Sequence, residues 1–163
     1  MRRLILMRHA EAEPSSATGD IGRRLTALGQ ADARAMGEAL ASRGFRPDLA
    51  LVSSATRARQ TWDGASAWFG DAELVVDPGL YNAAAETLRA AVEAVADRAG
   101  VVLLIAHNPG LHRLTVELAA ESAEPAAFER VAGGLEPAAA AVFVIDAGGQ
   151  ASLEDFIQPG DLG

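Results

Sequence analysis

The chain switches repeatedly between two apolar periods, and that alternation limits the folds open to it. Short, mostly apolar runs at 4–7, 49–52, 73–76 and 101–106 read as strands, the last of them the strongest. Each gives way to a segment with helical spacing. After the first run, Thr26 suits a helix cap, and Leu28, Ala31, Ala35, Met36, Ala39 and Leu40 recur three and four residues apart before Gly44 ends the helix. After the second, 53–69 reads as one helix capped by Ser54 or Thr56, with Ala58, Trp62, Ala65 and Phe69 on one face and Trp68 beside them. After the third, Leu88, Val92 and Val95 mark an inward stripe. After the fourth, Asn108 suits an N-cap and Pro109 a first helical residue, with Leu111, Leu114 and Leu118 as the apolar stripe. Residues 121–137 read as loop with some helix, and 140–146 and 151–157 as two strands joined by the turn signal AGGQ.

The order is four β-α units followed by a β-β pair. It predicts an α/β fold of three layers, α/β/α, with a mainly parallel sheet covered by helices on both faces. The 163 residues carry no internal repeat or linker and are expected to form a single domain, 1–163.

In such sheets, sites form outside the carboxyl ends of the strands. Three polar stretches fall there: RHA after the first strand, SSATRARQT after the second and HNPG after the fourth. They would bring Arg8, His9, Arg57 and His107 to one edge. All 14 cationic side chains are arginine, so an anion site here must use arginine, histidine or backbone N–H groups. Two arginine forks suit phosphate oxygens, helix N-termini add N–H donors, and a histidine is a possible nucleophile. This set fits phosphoryl transfer without a metal, in which charge neutralisation and positioning carry the catalysis.

Composition narrows the rest. The absence of cysteine excludes thiolate and disulfide chemistry. A net charge of −8 argues against nucleic-acid binding. The first apolar run is too short for a signal peptide, and no run reaches the roughly 18 residues of a membrane span, so the chain is expected in the cytoplasm. Heavy Ala, Gly and Arg usage without lysine resembles a high-GC bacterial genome.

LMRHAEA, RRLTALG, SSATRARQT and AHNPG, in this order and after these elements, resemble the histidine phosphatase superfamily, in particular its small SixA-like phosphohistidine phosphatases. The resemblance implies a phosphoglycerate mutase-like fold. It implies His9 as the nucleophile that takes the phosphoryl group, with Arg8, Arg57 and His107 binding the phosphate oxygens. The expected substrate is phosphohistidine on a protein. The alternatives are small phosphate monoesters, or a catalytically weak phosphate-binding module. No metal or other cofactor is expected, and a monomer is the default.

The general acid that many superfamily members carry after the third strand has no secure match in DPGLYNAAAET. Asp77, Glu86, Tyr81 and Asn82 lie near the place, Glu11 and Asp20 are weak substitutes, and none is assigned. An imidazole leaving from a P–N bond can be protonated beforehand and needs an enzymic acid less than an alkoxide does. Asp20 and Arg23 are expected to pair and order the first loop. His112 is read as structural or exposed, and Arg59 as solvated.

Overall fold

A computed structural model describes residues 1–162. Six strands, β1 (Arg3–Arg8), β2 (Leu49–Ser53), β3 (Glu73–Asp77), β4 (Val101–Ala106), β5 (Ala140–Ile145) and β6 (Ala151–Ile157), form one sheet in the order β3-β2-β4-β1-β5-β6. The first four are parallel, and β5 and β6 join antiparallel as a hairpin. Five helices cover the sheet: α1 (Ala27–Ser42), α2 (Thr56–Ala65), α3 (Ala85–Val95), α4 (Gly110–Glu121) and α5 (Pro125–Ala132).

The period-2 geometry of β1 shows why there are three layers. Leu4 and Leu6 point into a core shared with Leu88 and Val92 of α3 and Leu111 and Leu114 of α4. Ile5 and Met7 point the other way, to Ala33, Met36 and Leu40 of α1 and Ala58 and Trp62 of α2. A strand buried on both faces reads as an unbroken apolar run, as β1 and β4 do. β3 is one edge strand of the sheet, and its Leu74 and Val76 are exposed.

The caps are partly as expected. Thr26 Oγ1 accepts from Gly29 N–H at 3.0 Å. At the other end of α1, Gly44 is left-handed (φ +82°), its N–H donates to Ala41 O, and Phe45 N–H donates to Leu40 O. That pairing stops a helix where a glycine follows it.

Three expectations are corrected, and a fourth holds. The inward face of α1 is Gly29, Ala33, Met36, Gly37, Leu40 and Ala41, whereas Leu28 is 56% exposed and Ala31 also faces solvent. Two glycines lie on this face because backbone presses against it. A Cβ on Gly29 would stand 2.1 Å from Glu11 O, and one on Gly37 2.3 Å from Ala65 O. Segment 53–69 is not one helix. α2 ends at Ala65 and a 3-10 turn spans Ser66–Trp68, and no side chain caps the start. Asn108 does not cap α4, which begins at Gly110 after a cis Asn108–Pro109 peptide bond. The 121–137 segment is loop with one helix in it, as expected: α5, with Pro125 in its first turn.

Candidate active site

β1 and β4 run in parallel register with Arg8 opposite Ala106, so the next residue of each strand, His9 and His107, emerges side by side at the carboxyl edge. Their ring centroids are 5.1 Å apart. α2 starts just after β2 and brings in Arg57 from its first turn, only 4% exposed. The four residues expected at this edge therefore do meet there.

The hydrogen bonds fix how His9 is presented. Its Nδ1 lies 2.8 Å from Ala10 O. A carbonyl can only accept, so Nδ1 carries the proton and Nε2 keeps its lone pair. Arg57 Nε–H donates to that Nε2 at 3.3 Å. Thr61 locks the geometry. Its Oγ1 accepts from Ala10 N–H at 2.9 Å and donates to Arg57 O at 2.7 Å, tying the end of β1 to α2.

Burial keeps both histidines neutral. It is the main cause that lowers His9 to about 3, against the opposing bond to Ala10 O and with help from His107, Arg57 and Arg8. His107 is lowered to about 4, again first by burial and then by Arg57. Arg8 donates from Nη1 to Leu135 O at 3.0 Å, while its buried Nε has no partner among the described residues. The same Leu135 carbonyl accepts from Asn108 Nδ2 at 3.2 Å, so Asn108 braces the pocket wall.

Asp20, weighed as a substitute acid, has a different part. It pairs with Arg23 Nη1 at 3.0 Å, as the sequence suggested, but it also reaches the pocket. Its backbone O accepts from Arg57 Nη1 at 2.9 Å, and its Oδ2 accepts from Arg57 Nη2 at 3.3 Å and from the Tyr81 hydroxyl. The Tyr81 ring lies 5.5 Å from His107, with the Arg57 guanidinium 5.8 Å from its centroid. Nothing in the local pattern of GDIGRR or GLYNA signals these contacts, which span 37 and 61 residues.

None of the carboxyls weighed as general acid hydrogen-bonds to His9 or His107. Tyr81, then Arg23 and Arg57, hold Asp20 well below the usual carboxylate range, so it has no proton to give near neutral pH. Glu11 accepts from Thr26 Oγ1, and Asp77 accepts from Gly79 N–H at the end of β3. Glu86 is exposed and lines an open groove with Asn82, Pro109 and Arg113. His112 is structural, with its Nε2 2.9 Å from Val131 O, and Arg59 is exposed.

Residues 4–88 match the family model of the histidine phosphatase superfamily (branch 1). The chain belongs to the histidine phosphatase superfamily. Among solved structures, this superfamily member is similar to the provisionally named phosphohistidine phosphatase SixA of Agrobacterium tumefaciens, at 30% identity and TM-score 0.83 over 97% of this chain and 99% of that one. It is also similar to the protein histidine phosphatase SixA complexed with tungstate, at 25% identity and TM-score 0.80 over 99% of both chains. A Plasmodium falciparum phosphoglycerate mutase shares the fold at 21% identity, with TM-score 0.66 over 94% and 89% of the two chains. An uncharacterized chloroplastic protein of Arabidopsis thaliana is 39% identical over 88 residues, 52% of this chain. That match spans 40% of the plant protein's length. Membership and the SixA neighbours together support phosphatase activity through a histidine. No helix among the described residues is long and apolar enough to cross a membrane.

Proposed function

We propose that the protein removes the phosphoryl group from phosphohistidine on a protein, with His9 as the nucleophile. The observation that carries this reading is the tautomer of His9: Nδ1–H is anchored on Ala10 O, and the Nε2 lone pair faces the guanidinium of Arg57.

The sequence of events follows from that geometry. A phosphoryl group enters beside Arg57, Arg8 and His107, which neutralise and hold its oxygens. The His9 Nε2 lone pair forms a bond to phosphorus in line as the P–N bond to the substrate imidazole breaks. The departing electron pair stays on the substrate nitrogen. That ring leaves neutral when its other nitrogen carries a proton, so no enzymic acid is needed. His9 keeps its Nδ1 proton on Ala10 O throughout. Water then attacks phosphorus, the bond to Nε2 breaks, and inorganic phosphate leaves with neutral His9 restored.

Two points support the nitrogen-linked substrate. The carboxyl nearest the pocket, Asp20, is held ionised and cannot protonate an alkoxide. The SixA name carried by two similar structures points the same way. The Ala-, Gly- and Arg-rich, lysine-free composition supports a bacterial source, and a cytoplasmic monomer is the default we propose.

The test is phosphate release from a phosphohistidine protein and from a phosphoserine peptide, with His9→Ala in parallel. Release from phosphohistidine only, lost in His9→Ala, is the expected result. Equal release from both substrates makes the protein a broad monoesterase. Bound phosphate without release from either makes it a binding module.

A further inference from the structure

Ser53 is wholly buried at the end of β2, with its Oγ 2.7 Å from His107 Nε2. The neighbours of the hydroxyl settle which atom donates. Ser53 Oγ already accepts from Ala55 N–H at 3.3 Å. Its own hydrogen needs an acceptor, and among the described residues His107 Nε2 is the one in reach. A buried hydroxyl hydrogen is rarely left unpaired, so Ser53 donates and Nε2 accepts.

A neutral imidazole carries a single N–H. His107 is held neutral by burial and by the nearby Arg57 and Arg8 guanidinium groups. With Nε2 accepting, the proton of His107 must sit on Nδ1. That Nδ1 is buried and has no partner among the described residues. It lies in a ring 5.1 Å from His9, at a pocket walled by two arginines, and so offers an N–H with no acceptor in the protein.

We infer that Ser53 is a positioning residue: its hydroxyl fixes His107 in the Nδ1–H tautomer, so that the ring presents a donor to a phosphoryl oxygen rather than a lone pair. This rests on the reading of the pocket as a phosphoryl site. The opposite tautomer would set the Nδ1 lone pair against an oxyanion and replace an attraction by a repulsion. The two histidines then share one logic. Each is polarised through its far nitrogen, His9 by a carbonyl that accepts and His107 by a hydroxyl that donates. The result is one nucleophile and one donor from the same side chain type.

The experiment is nitrogen-15 NMR of the imidazole rings in the full chain, with tungstate as the anion probe, on wild type, Ser53→Ala and Ser53→Cys. Wild-type His107 is expected to show a protonated Nδ1 and a bare Nε2, with the Nδ1 signal moving when tungstate binds. Ser53→Ala is expected to lose that tautomer preference and to bind tungstate about tenfold or more weakly, in line with the loss of one oxyanion donor. Ser53→Cys, which keeps a weak donor of similar size, is expected to recover part of both. A wild-type proton on Nε2, or unchanged tungstate affinity in Ser53→Ala, overturns this inference alone. No tungstate binding by the wild type overturns the phosphoryl-site reading and this inference with it.

Discussion

The N–H of Arg57 Nε points at the bare Nε2 of His9 across 3.3 Å, so the proposed nucleophile is covered by the group proposed to hold the substrate. On the proposed roles, a phosphoryl group has to enter between the two. The other nitrogens of Arg57 are also engaged, Nη1 by Asp20 O and Nη2 by Asp20 Oδ2.

Asp20 is therefore expected to compete with an incoming anion for Arg57. Asp20→Asn removes the charge and keeps the shape of the side chain. Because Asp20 is exposed and screened by solvent, the gain is modest, about two- to fivefold tighter tungstate binding. Isothermal titration at fixed ionic strength measures it. Unchanged or weaker binding in Asp20→Asn would show that the carboxylate orders Arg57 without competing for it.

Stability should depend on pH through His9 and His107. Both are lowered in the folded protein, to about 3 and about 4, whereas in the unfolded chain each takes a proton near 6.5. Above that value neither favours the unfolded state. As pH falls below it, the unfolded chain binds protons that the native one refuses, and stability drops by up to about 1.4 kcal/mol per pH unit for each histidine. Urea unfolding at pH 7.5 and pH 5 should show the loss, with a shallower slope in His107→Asn. In the native protein the ring signals of His9 should stay in place over the same range. A His9 signal titrating near 6.5 would contradict the burial argument.

Gly37 carries the approach of α1 to α2. An added Cβ would meet the backbone of Ala65, with its carbonyl oxygen at 2.3 Å, so the helices would have to move apart. Gly37→Ala should cost about 2–3 kcal/mol in chemical denaturation. Gly133→Ala, where a Cβ meets nothing within 4 Å, is the control and should stay within about 0.5 kcal/mol.

These glycines also show where the sequence misleads. The phase of α1 was set by Leu28 and Ala31, yet its buried face runs through Gly29 and Gly37, because close backbone approach demands the smallest residue and carries no apolar signal. Arg8, His9, Arg57 and His107 were legible because each ends or directly follows a buried strand or lies in the first turn of the helix after one, and the parallel register does the rest. Ser53 and Leu135 were not legible as pocket residues, and Asp20 and Tyr81, weighed only for the general acid, were not legible as partners of each other beside Arg57. Their parts depend on contacts 27 to 127 residues apart between polar groups with no periodicity. Asn108 has the right chemistry for a helix cap and is used instead to hold a carbonyl across the pocket. α5 is short, and only Ala127 and Val131 of it are buried, so some helix was legible in 121–137 but its bounds were not.

The most direct measurement is a rapid alkaline quench of the protein during turnover of a phosphohistidine substrate, followed by mass mapping of the phosphorylated residue. The expected result is one phosphoryl group on His9, absent in His9→Ala along with turnover. Turnover that persists in His9→Ala, or a phosphoryl group mapped to another residue, would contradict His9 as the nucleophile.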